Sequence, residues 1–190
     1  MKGAVVDVEM YERTLGRAND VVSEIKPEQL GEPSGCGDWE VRELLNHVVG
    51  YLNAFSTGAN GEKLDVDGVD FLGDDHVAAY EKAAKDALEA FRGPGAMEKT
   101  FILPWGDNPG SMALGLALAE AAVHGWDLGR ATGHPVVIDD DVAEAVYGMT
   151  SSMMVPLGQY PRGDSFAEPV EVPDSAPIAD RMIAYLGRRP

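Results

Sequence analysis

The chain has 190 residues, 45% of them hydrophobic and 25% charged, with 15 Lys and Arg against 32 Asp and Glu for a formal net charge of −17. That length suits one domain with a real core, and a composition that includes Trp39, Trp105 and Trp126 argues against a disordered chain. Such acidity without a basic run argues against nucleic acid or an anionic membrane as partner, and the one cysteine, Cys36, excludes an intrachain disulfide and a multi-cysteine zinc site.

The first predicted helix covers residues 7–25, where Val8, Tyr11, Leu15, Ala18, Val22 and Ile25 recur at alternating spacings of three and four. Asp7 suits its N-cap and Pro27 stops it. A second helix begins near Asp38 or Trp39, with Asp38 the best cap by residue type, and carries Val41, Leu44, Leu45, Val48, Leu52 and Phe55 inward. The third spans residues 74–92 with Val77, Tyr80, Ala84, Ala87, Leu88 and Phe91 inward, and Gly93-Pro94-Gly95 breaks it. Residues 99–103 read as a short extended piece within an irregular excursion, because one such run has too few partners for a sheet.

The fourth helix runs from a Ser111 cap to a terminating Gly133, and its first turns are apolar on nearly every side, which predicts a central position. A fifth helix covers residues 140–159, with Val142, Val146, Met149, Met153 and Leu157 inward. A proline-punctuated stretch over residues 160–174 and a last short helix at 175–186 complete the chain. The expected architecture is all-α: one domain over residues 1–190, a bundle of roughly four long helices with a short C-terminal extension. Met112, Met149, Met153 and Met154 read as core filler, Trp39 and Trp126 as helix anchors, and His76 and His134 as exposed. An acid as early as Asp7 argues against a signal peptide, and Glu120 and His124 make residues 109–126 a poor membrane span, so a cytoplasmic chain is expected.

Glu120 and His124 are the only ionisable side chains in that apolar stretch, and a spacing of four puts them on one helix face. A carboxylate buried there costs several kcal/mol unless compensated. A metal cation would compensate both groups. A simple hydrogen-bonded pair, or pairing with an Arg of another helix, satisfies the same pattern. His47 lies roughly 110° from the centre of its own helix's core stripe, on a flank that can face a neighbouring helix. Together His47, Glu120 and His124 form a two-imidazole, one-carboxylate set, and three protein ligands leave a coordination position for a substrate. Zinc suits these donors best, with nickel, iron and manganese as alternatives. Asp127 is placed to accept a hydrogen bond from His124 or to pair with Arg130. Cys36 reads as a buried inert residue or as a reactive thiol at a helix start.

The stretch Cys36-Gly-Asp-Trp-Glu-Val-Arg-Glu-Leu-Leu-Asn-His47 resembles the first signature of the mycothiol-dependent maleylpyruvate isomerase family, one of the DinB-like metal-binding four-helix bundles. Glu120-Ala-Ala-Val-His-Gly-Trp-Asp-Leu-Gly-Arg-Ala-Thr-Gly133 resembles its second signature, and Pro169-Val-Glu-Val-Pro173 and Gly187-Arg-Arg-Pro190 are similar to the tails of short members. The resemblance implies that His47, Glu120 and His124 hold a divalent metal. It also implies a short member without the additional C-terminal domain of the full isomerases, since 57 residues follow Gly133. The implied chemistry is activation of a low-molecular-weight thiol of the mycothiol type. Its thiolate attacks an electrophilic carbon, giving S-transfer, or adds reversibly, giving double-bond isomerisation. The expected partners are that thiol and a small electrophile. A homodimer remains open, as does a non-catalytic metal-binding or sensor protein with the same site.

Overall fold

The computed structural model describes residues 5–154 and 166–190. These residues group into two compact units, one over Asp7–Val137 and the other made of the described parts of Met1–Val6 and Ile138–Pro190.

The first unit holds four long helices: α1 (Val8–Glu24), α2 (Val41–Gly58), α3 (His76–Arg92) and α4 (Gly110–Thr132). Helix α1 packs chiefly on α3 and α4, and α2 on the same two, so the consecutive helices α1 and α2 stand on a diagonal of the bundle. Helix starts follow local chemistry. The Asp7 carboxylate accepts from the Met10 amide at 2.8 Å, and that of Asp75 from the Ala78 amide at 3.0 Å. Glu40, rather than Asp38, caps α2, where its amide donates to Glu43 Oε2 at 2.9 Å in a capping box. The core is built from Tyr11, Leu15 and Val22 of α1, Leu44, Leu45 and Phe55 of α2, Tyr80 and Phe91 of α3, and Leu114 and Leu118 of α4. Full burial of each such side chain stabilises by about 1.5–3 kcal/mol.

Two expectations are corrected between α3 and α4. Residues 99–109 form an antiparallel hairpin rather than an irregular excursion: β1 (Thr100–Leu103) pairs with β2 (Gly106–Pro109), Thr100 opposite Pro109 and Leu103 opposite Gly106. The second strand has no apolar alternation to announce it. It forms because Phe101 and Leu103 of β1 are buried and β1 packs on α2. Ser111 does not cap α4, which begins at Gly110 with Pro109 as N-cap and no side-chain capping bond. The carbonyls of Lys99 and Met97 take the Gly110 and Ser111 amides at 2.7 and 3.1 Å, so backbone performs the capping.

Close approach at glycines sets the spacing around α2 and α4. A Cβ on Gly125 would stand 3.2 Å from the Ala18 methyl, and one on Gly58 would lie 2.6 Å from the Ile102 carbonyl oxygen. A loop over residues 62–73 lies along α2, clamped by Asn46, whose side chain donates to the Val69 carbonyl at 2.8 Å and accepts from the Phe71 amide at 2.7 Å.

The second unit contains α5 (Asp140–Met154) and α6 (Ile178–Tyr185), which pack together. Val142 and Val146 are buried as expected, whereas Leu157 and the rest of the predicted helix end lie outside the described residues. Met112 is exposed and Met149 and Met153 are half-buried, so these three are not core filler. His76 and His134 are half-buried rather than exposed, the former with Nε2 3.2 Å from the Ile25 carbonyl oxygen. Among the described residues, no helix is long and apolar enough to cross a membrane.

The glycines supply a matched test. Gly58→Ala forces a β-carbon against backbone and is expected to destabilise by about 1–3 kcal/mol. Gly16→Ala, exposed within α1 with nothing within 4 Å of the new carbon, should stabilise by roughly 0.5–1 kcal/mol. Denaturant titration of the two variants checks both signs.

Candidate metal centre

The site lies where α2 faces α4. His47 projects from α2, and Glu120 and His124 project from one face of α4, one turn apart. The three meet: His47 Nε2 is 3.3 Å from Glu120 Oε2, and His124 Nε2 is 3.4 Å from the same oxygen. The ligand atoms of His47, Glu120 and His124 all lie within 4.8 Å of one another. His124 is the most enclosed of the three and the Glu120 carboxylate, at 33% exposure, is the most open, so the cluster has a solvent-facing side.

Asp127 lies one turn beyond His124 and its carboxylate is only 3% exposed. His124 Nδ1 sits 3.0 Å from Asp127 Oδ2. Nδ1–H donates to that carboxylate, leaving Nε2 facing Glu120: it donates to Glu120 while the ring is protonated and would ligate a cation once that proton is displaced. Arg130, the other partner considered for Asp127, lies over the Trp126 ring at 5.6 Å.

Cys36 is neither buried nor remote. It is half-buried, and its sulfur lies within 4.8 Å of ligand atoms of both His124 and Asp127. The segment that holds it is folded back by Ser34, whose Oγ accepts from the Cys36 amide at 3.1 Å and donates to the Trp39 carbonyl at 2.7 Å. Trp39 is not a buried anchor: its ring lies 5.0 Å from that of His47. Tyr51, one turn past His47 on α2, lies 4.4 Å from the imidazole on another side.

Electrostatics follow from this packing. Burial opposes ionisation of Glu120, but the charge of His124 and hydrogen bonds from His124 and His47 outweigh it, and the carboxyl titrates well below the usual carboxylate range. Burial would depress His124, yet the Glu120 charge and the bond to Asp127 raise it from 6.5 to about 9. The Tyr11 hydroxyl, buried and without a hydrogen-bond partner among the described residues, is raised by burial first and then by Tyr80 and Glu120.

Two imidazoles and a carboxylate brought together from facing helices are donor types from which helical bundles can build a metal site. Comparisons with known proteins narrow the kind of bundle. Residues 12–129 match the family described as Mycothiol maleylpyruvate isomerase N-terminal domain. A protein of Mycobacterium tuberculosis, named Uncharacterized protein Rv0738 in strain H37Rv and Uncharacterized protein MT0763 in strain CDC 1551, is 32% identical over 171 residues, covering 88% of this chain and 90% of its own length. The chain therefore belongs to the mycothiol maleylpyruvate isomerase N-terminal domain family. Crystal structures of the mycothiol-dependent maleylpyruvate isomerase and of a histidine-to-alanine mutant of it share the fold. Their TM-score is 0.59 at 16–17% identity, and they cover 77% of this chain and 67% of theirs.

The sign of the pH dependence follows from the two shifts. His124 is raised, so in the metal-free protein its stabilising effect is complete below 6.5 and disappears as pH rises through about 9. Glu120 is lowered, so its contribution is present above 4.5 and is lost as pH falls. The gap in melting temperature between the metal-free wild type and His124→Gln should shrink steadily between pH 6.5 and pH 9. A gap that widens with alkali would contradict the assignment.

Proposed function

We propose that this chain is a divalent-metal- and thiol-dependent enzyme of the isomerase or S-transferase type. His47, Glu120 and His124 are its metal ligands, with zinc favoured over nickel, iron or manganese, and Asp127 holds His124 in its ligating tautomer. The observation that carries this reading is the pair of distances, 3.3 and 3.4 Å, from one carboxylate oxygen to two imidazole nitrogens. Charge-assisted hydrogen bonds of this kind settle at about 2.7–2.9 Å. Donors bound to a tetrahedral ion at about 2.0–2.2 Å stand roughly 3.3–3.6 Å apart. The separations therefore fit ligation better than an optimised hydrogen-bond pair.

Family membership supports the thiol, as does the fold shared with an isomerase described as mycothiol-dependent. A dication held there supplies the Lewis acidity that favours the thiolate form of a low-molecular-weight thiol. The chain's own residues do the rest. Asp127 fixes the imidazole of His124, Glu120 offsets the charge between the helices, and the solvent-facing side of the cluster admits the thiol and a small electrophile. Attack of the thiolate sulfur on the electrophilic carbon, with that carbon's leaving group departing with the bonding pair, gives S-transfer, and addition to a conjugated double bond, rotation about the resulting single bond and expulsion of the same thiolate gives double-bond isomerisation. A dependence on such a thiol fits a cytoplasmic setting.

Protein purified without chelator, or reloaded with zinc, is expected to carry one metal per chain. His47→Ala and His124→Ala should lose it, and Asp127→Asn should weaken it by about 10–100-fold. Binding should release protons near neutral pH and tighten as pH rises toward about 9, because the ion displaces the proton that His124 otherwise keeps. Calorimetry in buffers of different ionisation enthalpy reads this directly. Failure to exceed substoichiometric metal after reloading would sink the ligand assignment. Full metal binding without turnover of any electrophile with mycothiol would leave a metal-binding or sensor protein instead.

A further inference from the structure

His47 takes part in a second grouping besides the ligand cluster. Its ring is tilted against Trp39 at 5.0 Å and against Tyr51 at 4.4 Å. Tyr51 in turn stacks on Trp105, with centroids 5.4 Å apart and planes inclined by only 19°. Phe55, buried one turn further along α2, holds the Trp105 ring edge-on at 6.1 Å. Three separate parts of the chain supply this row: the segment leading into α2, α2 itself, and the β1–β2 turn whose tip is Pro104-Trp105.

The row is anchored at its base and open at its face. Trp39 and Trp105 remain 39% and 41% exposed although each is braced by another ring. Tryptophans held rigidly yet left accessible forgo burial of their own, and such surfaces mark ligand contact. Preset ring orientation also lowers the ordering cost of binding a flat molecule.

We propose that Trp39, Tyr51 and Trp105 form a stacking subsite continuous with the His47–Glu120–His124 cluster, and that it receives the planar, conjugated portion of the electrophile. The proposal rests on the enzymatic reading above for the word electrophile, but the subsite itself is testable by binding alone. In the zinc-loaded full chain without thiol, the unreactive planar probe 2,4-dinitroaniline should shift the indole N–H resonances of Trp39 and Trp105 and leave that of Trp126 in place. Trp105→Ala should weaken the probe about tenfold. Trp105→Leu, which keeps bulk against Phe55 without a ring face, should weaken it similarly, and Trp105→Phe should retain most of the affinity.

Equal binding by wild type and Trp105→Leu, or no shift at Trp105, would overturn the subsite. A loss of self-association in Trp105→Leu with probe binding unchanged would overturn it too, by making this face a contact between copies. Probe binding with the expected pattern but no turnover of any electrophile would refute the enzymatic reading and leave the subsite standing. Turnover of a planar conjugated electrophile that Trp105→Leu leaves untouched would do the reverse.

Discussion

One carboxylate oxygen, Oε2 of Glu120, faces Nε2 of His47 on one side and Nε2 of His124 on the other. It sits on a helix that is otherwise apolar over most of its surface, where an uncompensated charge would cost several kcal/mol. The compensation comes first from His124, one turn along the same helix, and then from His47 across on α2. The facing of α2 and α4 is thus tied to an electrostatic demand as well as to core packing. A proton and a dication satisfy the same demand. In the metal-free protein His124 holds its proton up to about 9, and a metal ion would replace that proton without moving the carboxylate.

The scaffold around this oxygen is arranged to keep the two helices in register. Gly125, the residue after His124, lets α1 approach α4 closely enough that an added β-carbon would stand 3.2 Å from Ala18. Gly58 at the far end of α2 admits the backbone of β1. The hairpin then serves two ends. The carbonyl of Lys99, one residue before β1, takes the Gly110 amide and that of Met97 the Ser111 amide, capping α4 without any side chain, and the turn between the strands sets Trp105 on Tyr51. The polar loop over residues 62–73 is fastened to α2 by Asn46, one residue before His47. Glu120, His124 and His47 therefore stand on helices braced from several directions, which is the condition for a ligand set of fixed spacing.

Much of this was legible in the order of residues. Apolar spacings of three and four placed the first three bundle helices and a run apolar on nearly every side the fourth, and Asp7, Pro27 and Gly133 marked ends that the structure keeps, Gly133 with φ of 79°. Periodicity works there because a helix is a local object: each backbone bond spans four residues, and the buried face recurs with the turn. The pairing of Glu120 with His124 is equally local. The hairpin escaped because Gly106-Asp107-Asn108-Pro109 has no strand pattern, and a strand pair is stabilised by what it packs on. The Ser111 cap failed because backbone carbonyls from residues 97 and 99 reached the helix end first. Cys36 and Trp39 gave no periodic signal, being in a turn, and Trp105 could only have been suspected from its place in a Pro-Trp-Gly turn.

What the amino-acid order determined alone was therefore the helical class, the helix faces and the one-turn spacing of Glu120 and His124, all consequences of contacts within about four residues. Tertiary structure decided which helices became neighbours. It put α2 beside α4 and α1 on the diagonal, and so brought an imidazole 73 positions away to within 3.3 Å of Glu120. It also gathered Trp39, Tyr51 and Trp105 around His47 and set Cys36 near Asp127. Such encounters depend on the simultaneous packing of several elements, and no local pattern encodes them.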